Sequence, residues 1–166
     1  MNLFKDIANI MLFILPTSKC FAFKRLMLRL AGVEIGQDVK VNGHTWFYGR
    51  GVVRIGDRTW IGPGCQFHST SGTVIDIGAD CDVAPQVIFV TGTHEFGPAS
   101  RRAGTGYARD IQVGNGTWLG ARCTVLGGIM VGSGSFVAAG GLVNMDIPQC
   151  SLSAGVPAKV KRIFEN

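Results

Sequence analysis

Ile55-Gly56-Asp57-Arg58-Thr59-Trp60-Ile61-Gly62-Pro63-Gly64-Cys65-Gln66 is one six-residue unit written twice. An aliphatic residue leads, glycine follows, and a small or β-branched residue sits four places after the leader. Val113-Gly114-Asn115-Gly116-Thr117-Trp118-Leu119-Gly120-Ala121-Arg122-Cys123-Thr124 repeats the pattern, which continues through Val125, Val131 and Val137. A unit this short cannot bury its own apolar side chain, so it must stack on copies of itself. The stretch predicts an all-β chain folded as a parallel β-solenoid from Ile35 to Val143.

The leaders sort into three columns: Ile35, Ile55, Ile77, Val113, Val131; Val41, Ile61, Val83, Leu119, Val137; and Phe47, Phe67, Phe89, Val125, Val143. Three six-residue sides make an 18-residue coil, as from Val113 to Val131, and the columns give about five coils. Steps of 20 and 22 residues earlier in the chain place small bulges near Gly49–Arg50 and Ser71–Val74. Coils stack ~4.8 Å apart, so each column becomes a ladder and Phe47–Phe67–Phe89 a core stack. The step from Ile77 to Val113 is 36 residues, one coil plus 18 that do not fit. Residues 95–109 hold no leaders, carry Gly, Pro and three arginines, and read as a loop ejected from the coil with His94 at its base. A long polar loop thrown out of a regular structure usually serves function.

Three segments follow: a helical stretch over 1–31, the solenoid over 32–145 with its loop at 95–109, and a basic tail over 146–166 packed on the coil. In the first, Phe4, Ile7, Ile10, Met11 and Ile14 recur at helical spacing until Pro16, and a second helix runs from about Phe21 to Leu30 before Gly32. Two readings stand: a cap over the solenoid's open end, which needs cover against edge pairing, or a membrane-surface helix. The second rests on five Lys/Arg against one Asp in this segment.

The 166 residues make one domain with a real core. The net charge of +5 suits anionic small molecules or a membrane surface; no basic stripe interleaved with aromatics marks a nucleic-acid binder. Cys65, Cys81 and Cys123 each fall four residues after a leader, the slot filled elsewhere by Thr59, Thr117 and Ser135. They read as small core residues of a reducing compartment, not as a disulfide framework. No stretch reaches the ~18–20 apolar residues of a membrane span. The first fifteen residues are like a weak signal core, but Asp6 interrupts it and no Ala-x-Ala-like site follows. The chain reads as cytoplasmic.

Beyond the hexapeptides, Thr91-Gly92-Thr93-His94, Trp118-Leu119-Gly120, Asp146-Ile147-Pro148 and Gly155-Val156-Pro157-Ala158-Lys159 resemble the bacterial hexapeptide-repeat acyltransferases. Within them the chain is similar to the sugar O-acetyltransferases of the maltose, galactoside, nodulation-factor and colanic-acid type, over roughly 32–162. The resemblance implies a left-handed coil, a homotrimer with active sites between subunits, and acetyl-coenzyme A as acyl donor. It implies no metal.

Acetyl transfer from a thioester to a hydroxyl needs a base, a held thioester and donors for the oxyanion. Imidazole, which titrates near neutral pH in water, suits the first task. The Thr-Gly-Thr-His context makes His94 the general base by resemblance, in direct transfer within a ternary complex. Glu95 or an Asp would orient its ring. Gln86, in Ala84-Pro85-Gln86, stands where galactoside and maltose enzymes carry asparagine; it is either an acceptor or oxyanion ligand or an exposed corner residue. By resemblance Gly120 and Ala121 face the thioester, with their amides as oxyanion donors, and Ala139 lies further along the pantetheine. Lys159 and Arg162 match tail positions that contact the nucleotide phosphates. Asn144 stands where a lysine is common, which shifts phosphate binding to the tail. Trp46, Trp60 and Trp118 occupy outward sixth positions, and Trp118 fits the cleft best. Tyr107, Arg101 and Arg102 would reach the acceptor.

That acceptor is a sugar hydroxyl on a surface polysaccharide or its precursor, with an amino sugar or a xenobiotic as the alternative. The basic, apolar segment 1–31 would suit peripheral contact with the inner membrane face. Two other classes share this architecture. A γ-type carbonic anhydrase binds zinc through three histidines, two of them close in sequence, whereas His44, His68 and His94 are 24 and 26 residues apart. A non-catalytic scaffold would need neither His94 nor the loop.

Overall fold

In the computed structural model, which describes residues 3–165, the chain winds into a three-faced prism of parallel strands. The first face stacks Glu34–Ile35, Val52–Ile55, Val74–Ile77, Ile111–Val113 and Met130–Val131. The second stacks Lys40–Val41, Trp60–Ile61, Asp82–Val83, Trp118–Leu119 and Phe136–Val137. The third stacks Trp46–Tyr48, Gln66–His68, Ile88–Val90, Thr124–Leu126 and Leu142–Val143. Registry follows the leader columns: Ile35 lies opposite Ile55, Ile55 opposite Ile77, and Val113 opposite Val131. Every leader is buried. The phenylalanine rings stack face to face, 4.8 Å apart for Phe47–Phe67 and 4.9 Å for Phe67–Phe89, which is the coil spacing itself.

Each face is only two to four residues wide, so the chain must turn sharply three times per coil. All three corners turn on left-handed residues, which at the third–first corner are the glycines Gly49, Gly72 and Gly128. At the first–second corner they are Asp38, Arg58, Asp80, Gly116, Gly134 and Cys150; at the second–third corner, His44, Gly64, Gln86, Arg122 and Gly140. Non-glycine residues rarely adopt this conformation, and here stacking offsets its cost. Arg58 makes a two-pronged contact with Asp80 in the next coil, and Arg122 Nε donates to Gln86 Oε1 at 2.8 Å. On the first and second faces the buried slot four places after a leader holds a small hydrogen-bond donor in most coils, Val39, Val87 and Gly141 being the exceptions. Thr59 Oγ1 donates to Gly78 O, Cys65 Sγ to Ala84 O, Cys81 Sγ to Gly114 O and Cys123 Sγ to Ala138 O. The three thiols thus do the work of hydroxyls on carbonyls that leave the ladder. Burial pushes the Cys65 thiol up to about 12.

The stack extends beyond the hexapeptide count. The chain was expected to leave the coil at Asp146-Ile147-Pro148, yet Ile147 bridges in parallel to Val131 and Ser151–Ala154 pairs in parallel with Phe136–Val137. Ile147 and Ser153 therefore continue two columns into a sixth, partial coil. The chain then reverses, and Lys159–Ile163 closes the second face as an antiparallel edge strand.

Helices α1, Leu3–Ile14, and α2, Phe21–Leu30, cover coil 1. The inward face is mixed: Ala8, Leu12 and Leu28 join the hydrophobic core beside the buried Lys5, Asn9 and Lys24. Coil 1 has no preceding coil, so its outward carbonyls lack ladder partners. Arg29 donates to Ile35 O and Gly36 O, Arg25 to Val39 O, and Lys5 to Gly49 O and Gly51 O. Asn9 serves Phe47 twice, donating to its carbonyl at 3.0 Å and accepting from its amide at 2.9 Å. Lys24 ties the linker by donating to Pro16 O and Thr17 O. Burial lowers the Lys5 and Lys24 ammonium groups from their ordinary range. The opposite face of each helix is apolar and exposed.

Ser153 sits in a leader slot filled in the other coils by Val41, Ile61, Val83, Leu119 and Val137. It is buried, and its hydroxyl is the one buried side-chain polar atom among the described residues with no hydrogen-bond partner. Ser153→Val is expected to raise stability by about 1–2 kcal/mol, through added apolar burial and removal of an unsatisfied hydroxyl. A higher urea midpoint at unchanged slope measures it.

Candidate active site

The segment ejected at the third–first corner was expected to be a loop over 95–109. It is instead a hairpin: Gly92–Phe96 pairs antiparallel with Ala103–Ala108. Nothing in its Gly-, Ala- and Thr-rich sequence alternates in hydrophobicity, so the period-2 signal of a strand is missing. His94 is therefore part of a strand, paired with Gly106, and Thr93 pairs with Tyr107. The imidazole is exposed and has no hydrogen-bond partner among the described residues. Gly106 leaves room beside it: a Cβ there would stand 3.6 Å from His94 Nε2 and Cδ2. Glu95 lies in the register shift between His94 and Phe96. Tyr107 is exposed, with the Arg109 guanidinium 5.4 Å from its ring centroid. Arg102 is drawn back to Gly97 O across the hairpin tip.

Gln86, Gly120, Ala121 and Ala139 gather at another corner, between the second and third faces. Gln86 is an exposed corner residue whose side-chain oxygen accepts from Arg122. The amide of Gly120 is not available as an oxyanion donor, because it donates to Val137 O at 2.8 Å. Its missing side chain serves packing: a Cβ would meet Ala139 N at 2.5 Å. Resemblance could not show this, since a glycine that admits a ligand and one that admits the next coil look alike in sequence. Ala121 differs, having no partner for its amide among the described residues. Ala121 and Ala139 repeat at the coil spacing toward the reversal at Gly155, beyond which the edge strand carries Lys159 opposite Ala154 and Arg162 opposite Leu152, both exposed. The run from Ala121 to that strand is a line of small residues ending in cations, on the order of 10–15 Å long at one coil spacing per step.

Trp118 lies on the second face, exposed, its ring stacked on Phe136 at 4.0 Å. Trp60 is instead covered by Phe21 of α2, and Trp46 lines a groove against α1. Asn144 is exposed at the end of the third face, on the corner from which the hairpin leaves two coils earlier. One chain thus presents its predicted residues in two groups. Five residues of largely extended backbone separate Gln86 from Gly92, roughly 20 Å at full stretch over the six steps.

A groove of about 530 Å³ runs along the third–first corner to the hairpin base, lined by Tyr48, Arg50, His68, Thr70 and Gly92 among others. Tyr48 was not singled out in the sequence, Arg50 was read only as part of a bulge and His68 only against a zinc pattern, because all three fall at coil positions with no motif around them. Burial lowers the His68 imidazole from its ordinary range, and its Nε2 lies 2.9 Å from Gln66 Oε1. Among the described residues no group of three His, Cys, Asp or Glu side chains is placed to hold a metal ion.

No family model matches the chain. It is 34% identical over 114 residues to "Putative acetyltransferase SACOL2570" of Staphylococcus aureus (strain COL), covering 69% of this chain and 56% of that protein. The chain spans about half the length of the curated relatives it matches. In structure it is similar to a hexapeptide-repeat acetyltransferase of Vibrio cholerae complexed with acetyl-coenzyme A. The TM-score is 0.84 and the identity 24%, over 99% of this chain and 87% of that one. It is also similar to a galactoside acetyltransferase in complex with coenzyme A, with a TM-score of 0.81 and 22% identity over 99% of this chain and 80% of that one. The prism is a left-handed β-helix. Its fold is that of the hexapeptide-repeat acetyltransferases.

Two measurements follow. Gly120→Ala is expected to destabilise the chain by about 1–3 kcal/mol through overpacking against the next coil, read as a lower melting temperature without any ligand present. The lowered His68 imidazole makes the unfolded chain bind the proton first. Stability therefore falls as pH drops through the ordinary imidazole range near 6.5, and the pH dependence of the melting temperature should flatten in His68→Gln.

Proposed function

We propose that this chain is an acetyl-CoA-dependent O-acetyltransferase acting on a sugar hydroxyl, on a surface polysaccharide or its precursor. One observation carries the reading. His94 stands on a hairpin at one corner of the prism, and the line of small residues that ends in the tail cations lies at another. A base and a thioester site so separated in one chain meet when a second chain brings its corner to the hairpin, which is the arrangement of a trimer with sites at its seams. The Vibrio protein and the galactoside enzyme, bound to acetyl-CoA and CoA, support the donor.

At the seam the pantetheine lies along Ala121 and Ala139, and Lys159 and Arg162 meet the phosphates. Asn144 adds at most a neutral contact there. The Ala121 amide faces the thioester oxygen. The acceptor occupies the groove lined by Tyr48, Arg50 and His68, with Tyr107, Trp118 and Gln86 bordering the seam. As the acceptor oxygen attacks the carbonyl carbon, His94 takes its proton. The tetrahedral oxyanion is held by amide donors. Collapse breaks the C–S bond, and the leaving thiolate takes the proton from the imidazolium, giving an ester and free coenzyme A. The residue that orients His94 is then supplied across the seam. The work belongs in the cytoplasm, where acetyl-CoA is held.

His94→Ala should bind acetyl-CoA in a calorimeter as the parent does, while acetyl transfer to a panel of sugars falls by about 10²–10⁴-fold. Full turnover by that variant would remove His94 from the role. A parent protein that does not bind acetyl-CoA would remove the function.

A further inference from the structure

Helices α1 and α2 lie on the open edge of coil 1 with Lys5, Asn9, Lys24, Arg25 and Arg29 spent on backbone carbonyls and, for Asn9, an amide as well. At 100° per residue the arc opposite this coil-facing side, which also buries Ala8, Leu12 and Leu28, falls on Leu3, Ile7, Ile10 and Ile14 in α1 and on Leu26 and Leu30 in α2. Both helices rest on the same edge, so both apolar backs look away from the coil. Including their phenylalanines, nine large apolar side chains of the two helices are 41–70% exposed. At about half exposure each, they leave on the order of 800 Å² of apolar surface, above the ~300–600 Å² of a monomer's largest patch.

Protein partners of such an area bring about one hydrogen bond per 100–200 Å². The two backs hold no polar group to meet that demand: the helical amides are satisfied internally, and the basic heads point the other way. A surface that asks only for hydrocarbon contact fits the interfacial layer of a bilayer. Charge adds a preference. Lys19 is exposed in the linker between the helices, and the chain carries a net +5, which draws it to anionic headgroups. No helix among the described residues is long and apolar enough to cross, so the contact lies in the plane of the surface.

We propose that the backs of α1 and α2 form a docking face for an anionic phospholipid bilayer, holding the prism on the membrane by its first coil. The test is flotation of the full chain with phosphatidylcholine vesicles containing a minority of phosphatidylglycerol. The parent should float with the vesicles, and less with phosphatidylcholine alone. The double variant Ile10→Glu/Leu26→Glu should lose roughly tenfold or more of the bound fraction, since two buried apolar groups become charges. It should keep the parent's melting temperature and sedimentation coefficient, because both positions are exposed; Leu30→Gln is the milder substitute if it does not. A parent that stays in the aqueous fraction overturns the proposal. So does a variant that floats equally well, or a parent that associates end to end through this face and ignores vesicles.

Discussion

The parallel ladder between successive coils is the constraint on which everything else in this protein depends. Each coil hydrogen-bonds to the next, and the backbone spacing of ~4.8 Å sets how close one corner comes to another. That closeness explains the small residues of the hexapeptide. A Cβ on Gly56 would meet Ala79 N at 2.5 Å, and one on Gly120 would meet Ala139 N at 2.5 Å, so these positions after a leader must be bare. The same closeness explains the hydroxyls and thiols four places after the leader, because corner carbonyls leave the ladder and need another donor. It also dictates what happens where the ladder stops. At coil 1 helical side chains take over as donors, and after the sixth coil the chain folds back to pair with itself.

Most of this was legible in the residues. The columns led by Ile35, Val41 and Phe47, the ring stack, the corner role of Cys65, Cys81 and Cys123, and the place where the ejected segment leaves all follow from a six-residue period. The failures have physical reasons. Helical spacing identified an apolar pattern on 1–31 but not that Lys5, Asn9 and Lys24 turn inward beside Ala8, Leu12 and Leu28, because that choice is made by unpaired backbone groups of coil 1 and by the linker carbonyls. The sixth coil was missed because Ser153 replaces an aliphatic leader. The hairpin was missed because Gly104, Thr105 and Gly106 carry no strand alternation; cross-strand pairing with Thr93 and His94 holds it instead.

The residues singled out for chemistry divide the same way. His94 could be chosen from its local context, and the structure leaves its ring exposed on a hydrogen-bonded strand of a hairpin. Gly120 was chosen from likeness, and the ladder claims its amide. Left-handed corners at Gln86 and Arg122 are invisible to composition, since neither residue favours that conformation. They persist because coil stacking pairs them.

A prism wound at constant pitch is also a ruler. From the hairpin that carries His94 to the edge strand that carries Lys159, the interval is counted in whole turns, each adding the same increment along the axis. An insertion of 18 residues in register would lengthen the interval by one graduation without disturbing any column, whereas a shorter one would throw every inward side chain out of phase. Reach along the axis therefore changes in this architecture only by discrete steps.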